Sequence, residues 1–213
     1  MTALLIIDVQ NDFFPHGALA VKEAEKILPN LNRIIRYPFE VIVATKDWHP
    51  LDHVSFASSH GKEVEEVINI GGLEQVLWPV HCVQNSVGAQ FSAGWDDHRV
   101  QKVIYKGTDK RMDSYSAFFD NGRSKATELH KFLQSKGIKK VFLVGLATDY
   151  CVKYSALDAL NLNYQVYVII DACKPVNSLP AAEEKHLNEI RQAGGSLIYA
   201  KDVVKILALS SQQ

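Results

Sequence analysis

Six short runs rich in apolar and β-branched residues recur along the chain: Leu4–Ile7, Val41–Thr45, Val103–Tyr105, Val141–Val144, Val166–Ile170 and Leu197–Tyr199. Segments with helical spacing separate most of them: Glu23–Ile35, Lys125–Ser135, Val152–Leu162 and Ala181–Ala193, the last opened by Pro180 and closed by Gly194-Gly195. A strand that is apolar at every position must be covered on both faces, and strand–helix alternation calls for parallel βαβ units with right-handed crossovers. The expected fold class is therefore α/β: a three-layer α/β/α sandwich around a six-stranded, mainly parallel sheet. With 213 residues, 47% of them hydrophobic, the chain has enough material for one large core, so a single domain over residues 1–213 is expected. Between about residues 47 and 95 the periodicity fails, and that stretch is expected to be a loop insertion rich in aromatic residues and histidines.

Charge narrows the partners. The formal net charge is −1 and no long Lys/Arg run occurs, so neither nucleic acid nor a membrane surface is expected, and a small molecule is. Met1-Thr2 leads straight into Ala3–Asp8 without a basic leader or a spanning run, a cytoplasmic pattern. The three cysteines, Cys82, Cys151 and Cys173, lack framework spacing and are expected to be free thiols. Monomer and homo-oligomer are both left open. The Ser210-Ser211-Gln212-Gln213 tail is expected to fray.

In doubly wound sheets, ligand sites gather at the carboxyl ends of strands, so the residue ending each strand carries most of the functional signal. The first strand ends in Asp8, the second in Lys46-Asp47-Trp48-His49, the third run in Lys106, and the fourth in the turn Gly145-Leu146-Ala147-Thr148-Asp149-Tyr150-Cys151. Thr148 or Asp149 is suited to cap the following helix, which would place Cys151 in its first turn, where backbone N–H groups favour a thiolate. Taken alone, Cys151 also fits a small residue packing helix on sheet, Asp8 a turn cap, and Lys106 a solvated strand end. Together they supply a nucleophile, a base and a stabilising cation.

Asp47 and His49 lie two residues apart, on the same side of an extended strand end, and Trp78-Pro79-Val80-His81-Cys82 offers a further imidazole. One carboxylate and two imidazoles suit a single divalent ion, zinc first, iron or manganese next. His53 is a further ligand or a supporting residue; Cys82, next to His81 on an extended chain, is expected to point away into the core. His16, His60, His98, His130 and His186 read as surface or helix-face residues. Phe13, Trp78 and Tyr115 lie close in sequence to Asp8, His81 and Lys106 and could wall a flat pocket, or simply pack in the core. No G-x-G-x-x-G, phosphate loop, G-x-S-x-G or H-E-x-x-H motif occurs, which removes the usual support for nucleotide-binding, serine-hydrolase and zincin readings.

Five stretches joined together resemble one family. They are Leu5–Phe13, Asp47-Trp48-His49-Pro50 with His53 and Ser55-Phe56, Trp78–Cys82, Tyr105-Lys106-Gly107 with Asp113–Phe118, and Gly145–Val152. They resemble the nicotinamidases, also called pyrazinamidases, of the isochorismatase-like cysteine hydrolase superfamily. The first and last motifs mark the superfamily; the Asp-Trp-His and Trp-Pro-x-His-Cys motifs narrow it to nicotinamidases. The resemblance implies a triad of Asp8, Lys106 and Cys151, a metal held by Asp47, His49 and His81, and an aromatic wall of Phe13, Trp78 and Tyr115. It further implies a cis peptide before Ala147, with the N–H groups of Ala147 and Cys151 as an oxyanion hole. The implied reaction is hydrolysis of nicotinamide to nicotinate and ammonia through a Cys151 thioester, in NAD salvage, with pyrazinamide as a second substrate. The competing expectations are a metal-free amide or carbamoyl hydrolase of the same superfamily, of the ureidoacrylate or carbamoylsarcosine type, a metal hydrolase whose bound water attacks directly, and a non-enzymatic metal- or ligand-binding module.

Overall fold

A computed structural model describes residues 1–210; the final residues of the expected frayed tail, Ser211–Gln213, lie outside it. The strands are β1 (Thr2–Ile7), β2 (Val41–Asp47), β3 (Val67–Ile70), β4 (Leu73–Val76), β5 (Lys102–Lys106), β6 (Lys140–Leu146), β7 (Gln165–Lys174) and β8 (Ser196–Ile198). The α-helices are α1 (Leu28–Ile34), α2 (Leu129–Ser135), α3 (Lys153–Asn161), α4 (Pro180–Gln192) and α5 (Val203–Ser210). Six strands form one sheet in the order β5-β2-β1-β6-β7-β8, every neighbouring pair parallel.

The sheet is covered on both faces, as its apolar strands require. All six residues of β1 are buried, and they divide by the period-2 alternation of a strand. Leu4 and Ile6 join a core that includes Leu31 and Ile34 of α1 with Val203 and Leu207 of α5. Ala3, Leu5 and Ile7 face the opposite core, with Leu129 and Leu133 of α2, Ala156 of α3 and Ile190 of α4. This is the expected three-layer α/β/α sandwich. No helix of the described residues is long and apolar enough to cross a membrane.

Strand order reverses between β1 and β6, which pair directly, so the crevice of a doubly wound sheet opens above these two strands. Gly145 on β6 sits opposite Ile7 at φ +118°, and a Cβ there would lie 2.1 Å from the Ile7 carbonyl oxygen. Only glycine lets the two backbones approach beneath the crevice. Gly145→Ala is therefore expected to lower unfolding stability by about 3 kcal/mol, read as a fall in denaturation midpoint.

Residues 47–95 depart from the expectation of an irregular loop. They contain an antiparallel hairpin, β3 with β4, which the sequence conceals because its two four-residue strands are largely exposed. Single bridges then fold the later part of the insertion back onto the stretch that directly follows β2. His49 N–H donates to the Cys82 carbonyl at 3.0 Å and Gln84 N–H to the His49 carbonyl at 2.9 Å; Trp78 N–H donates to the Ser55 carbonyl at 2.8 Å. These bonds carry His81 and Trp78 to the mouth of the crevice. The α5 helix is a further element that the strand–helix reading did not contain.

Candidate active site

Asp8 leaves the end of β1 in the left-handed region, at φ +48°, and is wholly buried. Thr45 of β2 holds it there: its hydroxyl accepts from the Asp8 N–H at 3.1 Å and donates to Asp8 Oδ1. One carboxylate oxygen is thereby occupied, and the other, Oδ2, lies 2.8 Å from Lys106 Nζ. Lys106, at the end of β5, also reaches the Ser114 carbonyl at 3.0 Å, Cys151 Sγ at 3.3 Å and Asp47 Oδ1. Asp47 and Lys106 are direct neighbours in the β2–β5 register, which explains their contact.

The turn after β6 has the cis peptide that the resemblance implied, but a π-helical turn stands where the first turn of an α-helix was expected. The Leu146–Ala147 peptide is cis, and Thr148–Val152 form a π-helical turn, closed by a bond from Val152 N–H to the Ala147 carbonyl at 3.1 Å, before α3 begins. Neither expected cap operates. The Asp149 carboxylate turns away and accepts from the N–H groups of Val176 and Asn177, both at 2.9 Å, while the Thr148 hydroxyl is buried with no protein partner. Cys151 emerges in this turn, 7% exposed and facing Lys106.

Burial works against the thiolate that the backbone N–H groups of this turn would favour. Burial pushes the Cys151 thiol well above its ordinary range; Lys106 pulls it back, but Asp8 and Asp47 oppose a third anion. Burial likewise raises the Asp8 carboxyl despite Lys106, which makes it a stronger base. Burial opposes the charge of Lys106, yet Asp47 and Asp8 outweigh it and hold the ammonium charged. Lys106 Nζ thus stands between two groups that burial pushes up, the Cys151 thiol at 3.3 Å and the Asp8 carboxyl at 2.8 Å.

Asp47 joins this cluster to a second one. Its Oδ1 meets Lys106, while Oδ2 lies 3.7 Å from His49 Nε2 and 3.8 Å from His81 Nε2. These separations are too long for hydrogen bonds but suit donors sharing one ion at bonds of about 2.0–2.2 Å. The remaining ring nitrogens confirm the orientation. His49 Nδ1 donates to the Gly107 carbonyl at 3.0 Å and His81 Nδ1 to the Pro79 carbonyl at 2.8 Å, so each Nε2 keeps its lone pair for a metal. Gly107, at φ +62°, is required here because a Cβ would meet the His49 ring at 2.3 Å. Asp47, His49 and His81 fit a divalent ion.

The His53 ring lies against His49 with ring centroids 4.1 Å apart and the planes tilted by 32°, and its nitrogens face Ser55 Oγ at 2.7 Å and the Met112 carbonyl at 3.4 Å. Burial, reinforced by His49, pushes its pKa down to about 4, which keeps the ring neutral against its neighbour. Cys82 is fully buried and outside the converging donors, as expected.

Both clusters open into one cleft of about 390 Å³, whose lining includes the three expected aromatics, Phe13, Trp78 and Tyr115. Tyr150, which the sequence reading did not select, completes the wall with ring centroids 4.9 Å from Trp78 and 5.2 Å from Tyr115. Its position beside Cys151 was the available signal. Asp113 also lines the cleft, its carboxylate accepting from Ser114 N–H at 2.7 Å and Gln75 Nε2 at 3.0 Å.

A thiol, an ammonium and a carboxylate gathered at the switch point of a doubly wound sheet offer a nucleophile, a cation and a base at a ligand crevice, the outline of an α/β hydrolase. The isochorismatase domain family matches residues 2–202. The nicotinamidase of Escherichia coli K12 is 45% identical over 94% of this chain and 95% of its own length. Among solved structures, the Acinetobacter baumanii nicotinamidase and pyrazinamidase superposes with a TM-score of 0.91 at 40% identity, covering 95% of this chain and 97% of that one. The pyrazinamidase of Pyrococcus horikoshii, solved in complex with zinc, superposes with a TM-score of 0.76 at 38% identity, over 93% and 98% of the two chains. The chain belongs to the isochorismatase family and, within it, to the nicotinamidases, enzymes that hydrolyse an amide.

Proposed function

We propose that this enzyme hydrolyses nicotinamide to nicotinate and ammonia, with Cys151 as nucleophile, Asp8 as general base and acid, and Lys106 as the fixed cation. The observation carrying this reading is the continuity of the site: Cys151 Sγ, Lys106 and Asp47 form one chain of contacts that ends at the paired imidazoles across the cleft. Asp8 Oδ2 takes the thiol proton as sulfur attacks the carboxamide carbon, so no free thiolate has to persist beside two carboxylates. The backbone N–H groups of Ala147 and Cys151 receive the oxyanion, an effect worth about 3 kcal/mol per donor in comparable sites. Asp8 returns its proton to the departing ammonia, leaving a nicotinoyl thioester. Water deprotonated by Asp8 then releases nicotinate, and the proton returns to sulfur. Phe13, Trp78, Tyr115 and Tyr150 wall the flat ring and exclude water. Asp47, His49 and His81 would hold a divalent ion, which would supply Lewis-acid chemistry in the cleft that Cys151 also lines, and zinc, found in the Pyrococcus horikoshii relative, is proposed first. Three free, buried thiols agree with a reducing cytoplasm.

Ammonia release measured with nicotinamide, pyrazinamide and a ureido compound tests the reading. Turnover of the two heteroaromatic amides is expected; turnover of the ureido compound alone would refute it. Removing metal with a chelator is expected to lower nicotinamide turnover by about 100-fold or more, with recovery on adding zinc to wild type but not to His49→Ala. Metal content measured beside the rate checks that the two fall together.

A further inference from the structure

Ordinary strand pairing does not account for how Asp47 is held. The β1–β2 ladder runs from Ala3↔Val41 to Ile6↔Ala44 and then stops, because Asp8 swings into the left-handed region. Asp47 lies three residues beyond that point on β2, with β5 beside it on one edge only. On the β1 side its backbone would have no partner. The side chain of Gln10 fills the gap. Gln10 Oε1 accepts from Asp47 N–H at 2.8 Å, and Gln10 Nε2 donates to the Asp47 carbonyl at 2.8 Å and to the Ala89 carbonyl at 3.0 Å. Gln10 is completely buried and all of these bonds are internal.

A clamp on both the N–H and the C=O of one residue fixes the peptide planes on either side of its Cα. The direction of Cα–Cβ follows, and with it the placement of the carboxylate between Lys106 and the two imidazoles. Two residues further along, Asp12 does the corresponding job on the loop that carries His81. Its Oδ2 accepts from Cys82 N–H at 2.7 Å, directly after His81, where Cys82 sits in the left-handed region at φ +45°. The polar residues at positions 8, 10 and 12 thus divide the work: the first faces the thiol, and the next two hold the backbones carrying Asp47 and His81.

We propose that Gln10 is a positioning residue for the metal site, acting as a side-chain substitute for the missing β1 strand so that Asp47 is preset for a divalent ion. This rests on the metal reading of Asp47, His49 and His81 given above. The test is zinc affinity, measured by competition with a chromophoric chelator at a temperature where circular dichroism shows each protein fully folded. Gln10→Met keeps the length and loses all three bonds, the two to Asp47 among them, and is expected to bind zinc at least about tenfold more weakly than wild type. Gln10→Glu retains the acceptor for Asp47 N–H and is expected to fall between the two. Gln10 acting only as a structural filler would instead lower the melting temperature and leave zinc affinity unchanged, and that result in folded Gln10→Met overturns the proposal. If Gln10→Met does not fold, Gln10→Glu decides: weaker binding supports the proposal and wild-type affinity overturns it. Wild-type protein that binds no zinc overturns the metal reading itself and this inference with it, so the two failures are told apart.

Discussion

Cys151→Ala is expected to lower kcat/KM for nicotinamide by about 10⁴-fold or more while leaving the fold intact. The loss is large because no neighbouring group can replace the sulfur. Cys82 and Cys173 are buried, and burial raises both thiols, Cys82 well above the ordinary range and Cys173 to about 12. The fold should survive because the Asp8–Lys106 bridge at 2.8 Å and the Lys106–Ser114 bond at 3.0 Å do not involve the thiol. Cys82→Ala and Cys173→Ala are expected to keep turnover within a few-fold of wild type. Steady-state rates and melting temperatures measured on the three variants check both halves, and a Cys151→Ala protein retaining turnover would discard the nucleophile assignment.

Lys106→Met is expected to be the most damaging substitution in the site for stability. It leaves the Asp8 and Asp47 carboxylates buried near one another with their shared cation gone. Removing one partner of a buried ion pair costs about 3–5 kcal/mol, and here one ammonium serves two acids. The pH dependence gives the effect a direction. Asp8 is already raised by burial against the pull of Lys106, so losing the lysine raises it further. A carboxyl whose folded pKa exceeds its unfolded value of about 3.9 binds more protons when folded, and its contribution to stability falls as pH rises through that window. Lys106→Met should therefore recover stability as the pH is lowered from 7 towards about 5. Denaturation midpoints across that range measure it, and a variant as stable as wild type at neutral pH would contradict the charge assignment.

Residues whose chemistry depends on where a strand ends were legible in the sequence. Asp8, Asp47 and Lys106 each follow an apolar run, and a parallel sheet brings such ends together whatever the loops do. The family motifs then connected His81, more than thirty residues beyond Asp47, to the same site. What stayed hidden was set by tertiary packing. The β3–β4 hairpin is short and mostly exposed, so it has no apolar periodicity to find. Thr45 looks like any β-branched strand residue until its hydroxyl meets Asp8. Asp149 has the composition of a helix cap but is drawn to the N–H groups of Val176 and Asn177, which no local pattern announces. The upward push on the Cys151 thiol could not be read from the turn, because it comes from burial and from two carboxylates brought from other strands.

The acyl-enzyme is the step on which the account depends. Wild-type enzyme mixed with excess nicotinamide, quenched with acid within a turnover, digested and analysed by mass spectrometry should show the peptide containing Cys151 carrying one nicotinoyl group. That species should be absent from Cys151→Ala and should decay as nicotinate appears. An unmodified Cys151 peptide at every quench time, while ammonia and nicotinate accumulate together, would contradict the account and point instead to direct attack of water on the amide.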